Sequence, residues 1–137
     1  MTSRARLFSL YARREAVQIA AFGRSVTQAA SEHDEAKALG ARLQQMALDI
    51  QIEVGPVSAA TLRASGLLAT SLVEEAERQS SRAAHAQHEV ARLRVTIGCH
   101  DRRRQFGEAA ATNARSAILD AAEAREESSR PAFRKER

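Results

Sequence analysis

Among the side chains of the types that hold metals or move protons, His85, His88, Cys99 and His100 fall close together in the sequence. On a helix His85 and His88 share a face. Cys99 and His100 come about 16 Å further along the axis at 1.5 Å per residue. A tetrahedral zinc binds four ligands at about 2.0–2.3 Å, so one ion cannot reach both pairs without a second chain. The expectation is surface and seam histidines, with no metal and no cofactor. No glycine-rich phosphate loop and no nucleophile with a base in reach occurs, and the carboxylates fall at helix-surface spacing. Catalysis is not expected.

Recognition is the other chemistry on offer, and arginine supplies it. Of the 21 basic residues all but Lys37 and Lys135 are Arg, set against 17 acids for a net charge of +4. Residues 1–25 hold five Arg and one Glu, and residues 92–104 five Arg and one Asp. Residues 31–53 reverse the sign, with Glu32, Asp34, Glu35, Asp49 and Glu53 against Lys37 and Arg42. Arg13, Arg14, Arg102, Arg103 and Arg104 therefore mark a basic locus. Phosphates could supply its counter-charge. Aromatic residues are only 4% of the chain, too few for base-stacking platforms, so a protein partner is expected ahead of nucleic acid.

The elements that position these residues are long helices. Alanine supplies much of the 44% hydrophobic fraction and Trp is absent, a composition that suits a narrow seam rather than a globular core. Apolar residues recur every seven positions at Phe22, Ala29, Ala36, Leu43 and Ile50, with Val26, Leu39 and Met46 between them. Towards the N-terminus the stripe weakens at Glu15 and Gln18. In the second half the repeat is longer. It runs Leu62, Ala69, Ala76, Ala83, Val90, Ile97, Arg104, Ala111 and Ile118, with Ser65, Leu72, Gln79, Ala86, Leu93, His100, Gly107, Ala114 and Ala121 at the intermediate positions. A seven-residue period held this far implies supercoiled helices.

Between the halves stand Gly55 and Pro56. Proline removes a donor and clashes with the preceding turn, Gly55 suits a helix end, and Ser58 is a good N-cap for the second helix. The expected fold is all-α, an antiparallel two-helix coiled-coil hairpin with unequal arms. Its parts are a first helix over 1–54, a turn at 55–58, a second helix over 59–128 and a basic tail over 129–137. Folding at Pro56 sets residue i opposite the residue near 112 − i. That register places Leu43 at Ala69 and Ala36 at Ala76, puts Glu32, Asp34 and Glu35 beside Arg78 and Arg82, and leaves the end of the second arm without an intramolecular partner. The two basic segments converge at the open end, which an acidic partner would relieve. Gly98-Cys99-His100 is the expected place for a hidden break. Leu67 and Leu68 fall off the seam beside the turn, either as an exposed patch or packed on Val54 and Val57.

One cysteine fits a reducing compartment, and no window has the roughly 18 apolar residues of a membrane span. The Arg- and Ser-bearing N-terminus is similar to a transit peptide. Its apolar spacing, however, continues into the first helix, and that is the reading taken.

The length, the first arm ending in Leu43, Met46 and Ile50, the linker, the longer arm from Val57-Ser58-Ala59-Ala60-Thr61-Leu62 and the closing Ala132-Phe133-Arg134-Lys135 resemble the flagellar type III export protein FliJ family. The resemblance implies a stalk-like coiled coil of the export apparatus. Its terminal end would enter a hexameric export ATPase and its other end would meet the membrane export gate protein, with export chaperones as further partners. It implies a cytoplasmic location, peripheral to the inner membrane. Leu43, Met46, Ile50, Leu68 and Leu72 match the family's gate-facing patch. The ATPase end would hold Arg13, Arg14 and Arg102 to Arg104, an assignment made from charge rather than from a family motif. The alternative is a generic coiled-coil adaptor or dimerisation module, and after it a basic hairpin associated with nucleic acid.

Overall fold

The computed structural model describes residues 3–51 and 58–131. Two helices account for them, α1 over Ser3–Gln51 and α2 over Ala59–Ser129, paired as an antiparallel all-α hairpin with unequal arms. Of the expected turn, Gly55, Pro56 and Val57 lie outside the described residues; of the expected tail over 129–137, Ser129 still belongs to α2 and 132–137 lie outside them. α2 starts as its sequence asks. The Ser58 hydroxyl accepts the Thr61 amide at 3.2 Å, and the Ser58 carbonyl accepts the Leu62 amide at 3.0 Å. At the far end the Ser128 and Ser129 hydroxyls donate to the Arg125 and Glu126 carbonyls, and the Arg130 amide also donates to the Glu126 carbonyl at 3.1 Å. α2 runs unbroken through Gly98-Cys99-His100, so the expected break is absent. None of the described helices is long and apolar enough to cross a membrane.

The chain forms two compact units, residues 22–96 and residues 1–21 with 97–137. In the first, positions 22, 26, 29, 33, 36, 40, 43, 47 and 50 of α1 are shielded in an alternation of three and four, with Gly23 and Ala30 partly shielded beside it. Leu39 and Met46 are therefore off the seam, 42% and 47% exposed, and Gly40 and Ala47 take the places expected for them. The α2 side is Ser65, Ala69, Leu72, Ala76, Gln79, Ala83, Ala86, Val90 and Leu93, as the repeat predicted. Leu62 is 68% exposed and does not join it. Among the described residues, Leu93 is the one buried apolar side chain larger than alanine.

In the other unit Ala5, Phe8, Ala12, Glu15 and Ile19 of α1 and Ile97, His100, Arg104, Gly107, Ala111 and Ala114 of α2 keep the same alternation. Ile118 and Ala121 continue the repeat in the sequence but are exposed, as is all of 115–131, within the end of the second arm that was expected to lack an intramolecular partner.

The register differs from that expected. Gly40 lies against Ala76 and Gln79, Ala12 against Gly107, and Glu15 against His100, so paired numbers sum to between 115 and 119 rather than 112. The offset is set by size. At Gly107 a missing side chain admits Tyr11, Ala12 and the Phe8 carbonyl. Under the expected register Gly107 would have faced Ala5. The same shift explains Leu62, which the expected register sets at Ile50 and the observed one sets beyond the described end of α1. Nor do the acids of α1 claim Arg78. Arg78 pairs with Glu75 on its own helix at 2.8 Å, Asp34 engages His33, and Glu35 accepts the Ser31 hydroxyl.

Candidate partner-binding surfaces

Each expected contact residue is placed by its position relative to the seam. Within the unit of residues 22–96, Leu43, Ile50 and Leu72 are seam residues, half-buried, while Met46 is 47% and Leu68 53% exposed. The five do not make one open patch. Leu68 stands with Leu67, 71% exposed, on the outer side of the first turns of α2. The alternative packing of that pair on Val54 and Val57 lies outside the described residues. On α2 of this unit Glu75 is held ionised by the Gln79 amide and then by Arg78, which lower its pKa below the ordinary 4.5. The Arg92 guanidinium does the same for Glu89. These are pairs three and four residues apart that brace the helix surface. The Gln79 carbonyl oxygen is buried without a hydrogen-bond partner.

The unit of residues 1–21 and 97–137 holds the arginines. Arg13, Arg14, Arg102 and Arg103 are exposed. Arg104 is not available in the same way, because it sits at the seam's edge and binds Asp101 and Glu108, both at 2.8 Å. Hydrogen bonds to those two carboxylates raise its pKa. The basic locus on α2 thus reduces to Arg102 and Arg103, with Arg104 serving to occupy two acids. Arg13 lines a shallow hollow of about 330 Å³ with Ser9, Glu108 and Arg115, and Arg115 donates to the Ser9 hydroxyl at 3.0 Å.

A second hollow of about 530 Å³ is apolar. Phe8, Ala110, Ala114, Ala117 and Ile118 line it with Arg4 and Asn113. Phe8 also meets Phe106 edge to face, ring centroids 6.4 Å apart.

Sequence reasoning missed the pairing of Glu15 with His100. Glu15 is 6% exposed and its carboxylate contacts His100 Nδ1 across the seam, 85 residues away in the chain. The signal was present: an acid on the α1 stripe and a histidine on the α2 stripe. The register placed them three residues out of step. Of the expected metal-type residues, His85, His88 and Cys99 are exposed, and no group of three or more His, Cys, Asp or Glu among the described residues is arranged to hold an ion. Compared with protein-family models, with curated proteins and with solved structures, the chain matches none.

Proposed function

We propose that this protein works by binding, as a stalk or coupling component of a flagellar-type protein-export apparatus that joins an export ATPase ring to the export gate. The observation that supports this reading is the inequality of the arms. α2 continues over residues 115–129, exposed throughout, past its last seam residue Ala114, and beyond Arg115 and Ile118 no described residue of α1 meets it. A helix pair that continues as one unpaired helix suits insertion into a ring. Exposed Arg13, Arg14, Arg102 and Arg103 in the same unit offer positive charge to such a partner. At the other end of the assignment, Leu68 and Met46 are the members of the gate-facing set whose side chains are open to a partner.

The test is capture of partners on the tagged protein from its native host, read by mass spectrometry. Recovery of the hexameric export ATPase or of the gate protein supports the reading, and recovery of the protein alone overturns it. Leu68→Asp sharpens the result. It should leave melting intact and weaken capture of the gate. The exposed Ile118 and Leu119 favour a second reading, an adaptor that dimerises through the unpaired end of α2. Melting that rises with protein concentration would select it, since an intramolecular pairing melts at one temperature at all concentrations.

A further inference from the structure

Every charged side chain that residues 3–21 present to solvent is an arginine. Arg4, Arg6, Arg13 and Arg14 are exposed, and the one acid of the segment, Glu15, is buried against His100. Across the seam Asp101 and Glu108 are both taken by Arg104. The first turn of α1 contains no acid either, so the positive end of the helix dipole adds to the arginines.

The same segment is apolar on the wrong side for a seam. Leu7, Leu10 and Val17 are 65%, 49% and 66% exposed. Each lies two positions after a shielded residue, Ala5, Phe8 or Glu15, which turns it about 200° around the helix and away from α2. Leu7, Leu10, Arg14 and Val17 succeed one another at three and four residues along the outer face, three exposed apolar residues with one arginine among them.

We propose that this outer face of α1 docks on an anionic lipid surface. The helix would lie in the headgroup plane, with Leu7, Leu10 and Val17 at the acyl boundary and Arg4, Arg6, Arg13 and Arg14 on lipid phosphates. Neither signal is sufficient alone, and reversible surface binding takes both: a modest buried apolar area and electrostatic attraction to anionic lipid. A phosphate polymer would pair with the arginines and leave the leucines in water. Arginine stems beside an apolar stripe can lie along it while their heads stay with the phosphates. The inference does not rest on the coupling reading: both use Arg13 and Arg14, so the two partners would compete for them, and vesicle binding and ATPase capture are read separately.

The experiment is co-sedimentation of the full chain with vesicles of phosphatidylcholine alone and of phosphatidylcholine mixed equally with phosphatidylglycerol. Binding is expected on the mixed vesicles only. The triple variant Leu7→Gln, Leu10→Gln, Val17→Gln should lose about tenfold or more in affinity with its charge unchanged. Its melting should stay at the wild-type temperature, since none of the three touches the seam. Arg6→Gln with Arg13→Gln and Arg14→Gln should weaken binding as well. Equal binding to both vesicle types overturns the proposal. So does full retention by the triple variant, which would assign the attraction to arginine and phosphate alone and would be matched by retention on duplex DNA.

Discussion

Gly107 shows how one missing methyl group places two helices. A Cβ there would stand 2.9 Å from the Tyr11 ring and 3.2 Å from both the Ala12 Cβ and the Phe8 carbonyl oxygen. The ring can swing, but the carbonyl belongs to helical backbone and can move only with α1. Gly107→Ala is therefore expected to destabilise the protein by about 1–3 kcal/mol despite alanine's better helix propensity. At Gly66 and Gly98 nothing lies within 4 Å, and alanine there should stabilise by about 0.5–1 kcal/mol each. Denaturant unfolding of the three variants checks the opposite signs. The Glu15 and His100 pair makes a second case. Replacing Glu15 alone with Leu leaves His100, 17% exposed, without its carboxylate and should cost about 1.5–3 kcal/mol. Replacing both with Leu removes the desolvation cost as well and should recover that loss or better. A double variant as unstable as the single would show that the pairing is not what offsets the burial of these two polar side chains.

At the scale of the helix, what the sequence made legible was periodicity. The α2 stripe from Ser65 to Ala114 is found position by position, because a 3.5-residue repeat depends on spacing alone. Hydrophobicity misled where it was read without that spacing. Leu39 and Met46 drew attention as large apolar residues, yet the alternation from Phe22 places His33, Gly40 and Ala47 in the seam. In so narrow a seam, size works against a residue. Register was not legible, because it depends on which small residue receives which large one, and no local pattern encodes that. The exposed line of Leu7, Leu10 and Val17 follows from the same heptad count, because each falls opposite the seam. The distinction between seam and flank gives a prediction. Leu43→Asp puts a charge at a half-buried seam position and should lower the melting temperature by several degrees, about 2–4 kcal/mol. Leu39→Asp, at a position 42% exposed, should cost less than about 1 kcal/mol. Equal losses at the two sites would mean that both leucines share the seam.

For the whole molecule, the two units divide the work by what their surfaces leave open. Residues 22–96 close a seam of small side chains and present Leu67 and Leu68 beside it. Residues 1–21 with 97–137 pair over a shorter stretch, then leave the α2 segment 115–129 and the two residues after it exposed, so most of that segment adds little burial to the fold. Its ties to α1 come early: Arg115 on Ser9, and Ala117 and Ile118 beside Phe8. Ending the chain after Ser116 should thus remove the Ile118 packing and little else, lowering stability by about 1 kcal/mol and the melting temperature by a few degrees. The shortened chain should melt at one temperature at any concentration, because its remaining seam is intramolecular. The full chain is expected to behave alike if residues 115–131 are kept for another protein. If instead its melting rises with concentration and the shortened chain's does not, those residues bind a second copy, and the adaptor reading replaces the stalk.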